Sequence, residues 1–252
     1  MAFCTGKSLL VTGATGGIGK ALSELAISDG YTLIIHYHTK GDEADRLISL
    51  ANDHHLKAYK FQADLSKELE VENMFSFISE KVGRIQGLVN NAGTLFHKSR
   101  LEDMEYSRLK LTLETNILNY MLCCKYAIKQ MSIKHGGNGG SIVNVSSAAS
   151  RLGSPNEYVD YACSKGAIDS LTIGLANELC DDQIRVNCVR PGFIYTDIHS
   201  KSGDIVRVNK LQHLIPLKRG GQPFEVAEAI MWFISEKSSY STGAFLDVAG
   251  GK

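Results

Sequence analysis

Residues 7–19 read KSLLVTGATGGIG, and their order decides the fold. Lys7–Thr12 is an apolar run short enough for one buried strand. It stops at a turn rich in glycine, a residue that tolerates positive φ and lets backbone approach a ligand closely. Ile18, Leu22, Leu25 and Ala26 then recur at helical spacing until Asp29-Gly30. Strand, glycine turn and helix in this order aim the positive end of a helix dipole at the turn, which suits a pyrophosphate. The spacing is G-x-x-x-G-x-G over Gly13, Gly17 and Gly19, not the commoner G-x-G-x-x-G.

Outward from this turn the chain alternates strand and helix to its end. Strands are predicted at Thr32–Tyr37, Lys57–Ala63, Gly87–Asn91, Ser141–Val145, Ile184–Val189 and Ala244–Val248. Helices are predicted at Asp42–Asn52, Glu68–Val82, about Glu105–Lys134, Tyr158–Leu179 and about Glu225–Ser235. Such alternation implies parallel pairing with right-handed crossovers. The expected architecture is α/β: a Rossmann-type, doubly wound, seven-stranded parallel sheet with helices on both faces. No linker interrupts it, so residues 1–252 read as a single dinucleotide-binding domain. Gly192–Pro216 carries few structural signals and is expected to form a mobile lid over the substrate.

Lys+Arg and Asp+Glu both number 27, and the zero net charge gives no reason to expect nucleic acid or an anionic membrane as partner. No apolar run approaches a signal-peptide core or a transmembrane span, so a cytoplasmic protein is expected. The six cysteines form no C-x-x-C pair and read as reduced thiols packed like small apolar residues. No His/Cys/Asp cluster has metal-ligand spacing, so no metal is expected.

In a doubly wound sheet, ligands bind at the carboxyl ends of the strands. An NAD-preferring fold places a carboxylate about 20 residues beyond the glycine turn to hold the ribose 2′-hydroxyl. Here that region carries Tyr37, His38, Thr39 and Lys40, with no carboxylate. His38, Thr39 and Lys40 suit a 2′-phosphate, so NADP(H) is favoured, with NAD(H) as the alternative. Tyr161-Ala-Cys-Ser-Lys165 sets a phenol and an ammonium on one helix face at i and i+4. A tyrosine titrates near 10, and proton transfer near neutrality needs a shift of roughly three units, about 4 kcal/mol. Exposed ion pairs supply less than about 1 kcal/mol, and burial alone raises the phenol pKa. The pair therefore requires an enclosed lysine and a nearby cationic cofactor.

The motifs TGATGGIG, Asp64, NNAG at Asn90–Gly93, Asn116, the strand end at Asn144–Ser147, YACSK, Arg190-Pro191-Gly192 with Thr196, and the closing TGAFLDVAGGK span the whole chain. On these the chain resembles the short-chain dehydrogenase/reductase family in its compact form. The resemblance implies hydride transfer between a nicotinamide and a carbonyl or alcohol. Tyr161 would be the general acid/base, Lys165 would assist it, Ser147 would polarise the carbonyl and Asn116 would anchor a relay water. Gly13, Thr15, Gly17, Ile18 and Gly19 would cradle the pyrophosphate. Asp64 and Leu65 would meet the adenine, with Asn90 on the adenosine ribose side and Asn91, Ala92 and Gly93 alongside. Pro191, Gly192, Ile194 and Thr196 would close over the cofactor with Tyr161 and Lys165. Ser147, Tyr158, Phe193 and His199 would face the substrate.

Within that family the chain as a whole resembles bacterial glucose-dehydrogenase-like and 3-oxoacyl-carrier-protein-reductase-like members, so a sugar, polyol or small carbonyl is expected. A carrier-protein substrate is the alternative and would need a basic patch, for which Lys98, Arg100, Arg151, Lys218 and Arg219 are candidates. A cofactor-binding sensor without chemistry is the alternative from another class; such proteins usually lose the tyrosine or lysine. By the same resemblance the long Glu105–Lys134 and Tyr158–Leu179 helices would form a dimer interface within a homotetramer.

Overall fold

A computed structural model describes residues 7–198, 203–204 and 206–252. The strands are β1 (Ser8–Val11), β2 (Thr32–Tyr37), β3 (Ala58–Gln62), β4 (Gly87–Asn90), β5 (Gly140–Val145), β6 (Ile184–Pro191) and β7 (Phe245–Val248). They form one sheet in the order β3-β2-β1-β4-β5-β6-β7, and every neighbouring pair is parallel. The chain winds outward from β1 in one direction and from β4 in the other. The switch point, where a cleft must open above the strand ends, lies between these two strands.

Helices α1 (Gly17–Ser28), α2 (Gly41–Asp53), α3 (Glu68–Lys81), α4 (Tyr106–Leu113), α5 (Asn119–Met131), α6 (Ala149–Leu152), α7 (Val159–Glu178), α8 (Arg207–Leu211) and α9 (Pro223–Ile234) flank the sheet. Strand side chains alternate between two cores. Leu9 and Val11 pack with Leu22, Leu47 and Ile230, from α1, α2 and α9. Leu10 and Ile34 point the other way, onto Met74, Ile78 and Cys123 of α3 and α5. Both faces are thus covered, as an all-parallel sheet requires. No helix among the described residues is long and apolar enough to cross a membrane.

The expected Glu105–Lys134 helix is interrupted. Between α4 and α5, Glu114–Leu118 form a π turn, which inserts one residue into the helix and is a recurrent device at functional sites. Gly192–Pro216 also contains more order than its composition suggests. Arg207 and Val208 of α8 are buried, while residues 199–202 and 205, His199 among them, lie outside the described residues.

Candidate active site

Above the β1–β4 switch point lies a cleft of about 570 Å³. At one end the β1–α1 turn forms its floor. Gly13 adopts φ +62°, and a Cβ on Gly19 would meet the Gly13 carbonyl oxygen at 2.1 Å, so only glycine permits this turn. Gly19 itself does not line the cleft; its part is to let the turn close. Gly16 precedes α1 without a capping side chain, and the first turn holds no acidic residue. The first-turn N–H groups and the helix dipole are therefore left for an anion.

A buried imidazole fixes this turn. The Gly13 N–H donates to His36 Nδ1 at 3.0 Å, so that nitrogen carries no proton and Nε2–H donates to the Ala63 carbonyl at 3.1 Å. Burial lowers the His36 pKa to about 4, and the ring is neutral. Across the switch point, Thr12 Oγ1 accepts from the backbone N–H groups of Asn91 (2.9 Å) and Ala92 (3.0 Å). Asn91 Nδ2 donates back to the Thr12 carbonyl at 3.0 Å and the Gly13 carbonyl at 3.1 Å.

His38, Thr39, Lys40, Asp64 and Leu65 line the same end of the cleft. Lys40 forms an ion pair with Asp197 across it, and Asp64 accepts hydrogen bonds from the N–H (3.1 Å) and hydroxyl (2.7 Å) of Ser66. Asn90 does not reach the cleft. It is buried, and its Nδ2 donates to Asn144 Oδ1 at 3.0 Å, because at the end of β4 its side chain turns toward β5 while Asn91 turns toward β1.

At the other end, Ser147, Tyr161 and Lys165 line the cleft together. Lys165 is 3 % exposed. Its ammonium donates to the Val145 carbonyl at 2.8 Å and to the Tyr120 hydroxyl at 3.2 Å, and lies 5.7 Å from the Tyr161 ring centroid. Burial lowers its pKa to about 8, which keeps it cationic at neutral pH. Burial pushes Tyr161 up to about 12, against a smaller downward pull from the Ser147 hydroxyl. Both serines line the cleft, but the Ser146 hydroxyl is committed to the Lys165 carbonyl at 3.0 Å, whereas the Ser147 hydroxyl is the one that meets Tyr161.

Asn116 sits behind this group, fully buried in the π turn. Its Oδ1 accepts from Thr94 N–H at 2.8 Å, and its Nδ2 donates to the Thr94 carbonyl at 3.0 Å and to Ser164 Oγ at 3.2 Å. It does not line the cleft. A Cβ on Gly93, the residue between, would lie 3.2 Å from Asn116 Oδ1 and 3.7 Å from Lys165 Nζ, so the two side chains meet at Gly93. Thr15, Gly17, Ile18, Ala92, Gly93, Tyr158, Pro191, Gly192, Phe193, Ile194 and Thr196 all line the cleft as expected. Three residues with no role in the sequence reading stand out: His36 under the turn, Tyr120 beneath the lysine, and Arg207 in the cleft wall. Only Tyr120 left a signal, one helical turn beyond Asn116.

The cleft accepts a dinucleotide by its own chemistry: a glycine floor that a Cβ would obstruct, an uncapped helix start, and a buried ammonium at the far end. The family model described as enoyl-(acyl carrier protein) reductase matches residues 13–252. The chain is 50% identical over 243 residues to an Escherichia coli oxidoreductase, YgfF, described as uncharacterized, covering 96% of this chain and 98% of that protein. It is 33% identical over 250 residues to glucose 1-dehydrogenase 2 of Bacillus subtilis, covering 98% and 95%. A solved double mutant of a Serratia marcescens short-chain dehydrogenase/reductase superposes with a TM-score of 0.90 at 26% identity, over 99% of this chain and 98% of that one. The chain belongs to the short-chain dehydrogenase/reductase family, a family of nicotinamide-dependent oxidoreductases acting on small molecules.

Proposed function

We propose that this protein is an NADP(H)-preferring reductase of small carbonyl compounds that also runs in the alcohol-oxidising direction. The observation that carries the reading is the convergence of Tyr161, Ser147 and the buried Lys165 in one cleft with the glycine turn. Gly13, Gly17 and the start of α1 would hold the pyrophosphate, Asp64 and Leu65 the adenine, and Lys40 with His38 and Thr39 the 2′-phosphate. Bound there, the nicotinamide supplies or accepts the hydride.

The remaining steps belong to the protein. Ser147 donates a hydrogen bond to the substrate oxygen and holds it against Tyr161. A Tyr161 pKa of about 12 makes it a neutral phenol, the form that gives a proton to a carbonyl being reduced. Lys165, cationic beside it, stabilises the phenolate left behind until that oxygen takes up the next proton. Asn116, gripping the Thr94 backbone, fixes the wall through which that proton arrives.

A carrier-protein substrate is less well supported. Of the candidate cations, Lys98, Arg100, Arg151 and Arg219 are each paired with a carboxylate, and Lys218 donates to the His213 carbonyl. A sensor without chemistry is disfavoured by the presence of all four expected catalytic side chains. We read the protein as one domain with Gly192–Pro216 as its lid. Exposed Tyr106, Leu111, Leu113, Leu118 and Met121 along α4 and α5 support a dimer interface within a homotetramer. Among the described residues the five cysteines are free and three of them are buried, which suits a reducing cytoplasm.

The test is titration of NADPH and NADH by fluorescence, then oxidation of each with aldehydes, diketones, sugars and acyl thioesters. Tight NADPH binding with turnover on one class is the expected result. Better binding of NADH overturns the cofactor preference, and binding of neither overturns the enzyme reading.

A further inference from the structure

Tyr158 and Arg207 line the catalytic end of the cleft, and the mechanism above uses neither. Tyr158 is 3 % exposed, and its hydroxyl oxygen is buried with no hydrogen-bond partner. A buried hydroxyl left unpaired is costly, and such a group in a cleft wall asks what would pair with it. Arg207 is 6 % exposed. Its guanidinium carbon lies 5.0 Å from the Tyr158 ring centroid and 5.6 Å from that of Phe193.

A guanidinium has five N–H donors in a planar fork. Glu157 engages one hydrogen on each terminal nitrogen of Arg207, and the other three have no acceptor among the described residues. Glu157 and Asp204 are shared among three cations: Lys98 binds Glu157 at 2.9 Å and Asp204 at 3.7 Å, and Lys210 binds Asp204 at 2.9 Å, so Arg207, Lys98 and Lys210 together exceed the two carboxylates by one charge. Lys252 approaches Phe193 as well, its ammonium 5.2 Å from the ring centroid. Both carboxylates among the described lining residues, Asp64 and Asp197, stand at the cofactor end. Among the described residues, the charged side chains lining the catalytic end are Lys165, Arg207 and Lys252, all cations.

We infer that Arg207 and the Tyr158 hydroxyl form a carboxylate-binding subsite, so that the substrate is a carbonyl compound bearing a carboxylate. This deepens, and rests on, the reductase reading. A carboxylate accepts the guanidinium fork and the phenolic O–H together, completing both groups. Tyr158 caps α7 and Tyr161 lies in its first turn, so their backbones are less than about one helical turn, roughly 5 Å, apart along the axis, and both side chains line the same cleft. The carboxylate therefore sits only a few atoms from the reacting carbonyl, as in 2-oxo, 3-oxo and 4-oxo acids.

The experiment has two arms on the full-length protein. In the first, 2-oxobutanoate, acetoacetate and levulinate are compared with their methyl esters as oxidants of NADPH. The acid of one pair is expected to exceed its ester in kcat/KM by at least about tenfold, mostly through KM. Arg207→Met and Tyr158→Phe should each collapse that acid-to-ester ratio, and Arg207→Lys should restore part of it. In the second, benzoate and benzamide are titrated by calorimetry into protein saturated with NADP+. Benzoate should bind through Arg207 and benzamide should not.

Equal handling of acids and esters by the wild type overturns the subsite, as does a loss in Arg207→Met that falls on both alike. If esters are reduced while benzoate fails to bind, the subsite is wrong and the reductase reading stands. If benzoate binds through Arg207 and no carbonyl compound is reduced, the subsite stands and the reductase reading is wrong.

Discussion

The two ends of the cleft are built in opposite ways. The cofactor end is made of backbone: a glycine turn, an uncapped helix start, and strand ends tied through Thr12, Asn91 and His36. The catalytic and substrate end is made of side chains delivered from distant segments. Ser147 follows β5, Tyr158 and Tyr161 open α7, Asn116 lies in a π turn, and Arg207 comes from α8 beyond β6. A backbone site keeps its geometry through changes of side chain. A side-chain site can be re-specified without disturbing the sheet, which is where substrate choice can vary.

Three experiments test that division. The largest effect is expected from Tyr161→Phe, which should lower turnover by about 10³ while NADPH affinity changes little. Steady-state rates set beside fluorescence titration measure this, and a variant keeping most of its activity means the proton donor lies elsewhere. His36→Asn touches only the cofactor end. The folded His36 pKa, about 4, lies below its ordinary 6.5, so the unfolded chain binds the extra proton first as pH falls. Wild-type stability should therefore drop between pH 6.5 and 4, with His36 contributing up to about 3 kcal/mol of the loss. Denaturant melts across that range should show a flatter acid limb in the variant; an identical limb refutes the neutral, doubly bonded ring. The smallest effect is expected from Lys40→Ala, a weakening of NADPH by about tenfold with NADH nearly unaffected. Equal loss of both cofactors would assign Lys40 to its Asp197 pairing instead of to a 2′-phosphate.

The same division decides what the sequence made legible. The seven strands came through within two residues because hydrophobic period and glycine punctuation are local signals, whereas the expected Glu105–Lys134 helix is broken by the π turn and ends at Met131, and the short α6 and α8 were not foreseen. β2, rich in β-branched residues, is predicted and observed at Thr32–Tyr37. The glycine turn and the Tyr161–Lys165 pair were readable for the same reason: their spacing is their geometry. His36 was not, since its meaning depends on Gly13 and Ala63, which meet only after β1, β2 and β3 pair. Asn90 and Asn91 could not be told apart in role, because neighbouring residues at a strand end face opposite ways. Arg207 lies in a segment of weak periodicity, and only its burial between two rings marks it.

The π turn at Glu114–Leu118 acts as a phase shifter. One residue advances an α-helix by about 100°, so the extra residue rotates everything downstream by that angle relative to α4. Asn116 and Tyr120 owe their aim at Thr94 and Lys165 to this rotation. Deleting one residue among 114–118 would let α4 and α5 fuse into a continuous α-helix while turning the lysine's partner out of the site. A regular helix and the Tyr120–Lys165 contact are thus mutually exclusive in this chain, and its sequence has settled on the second.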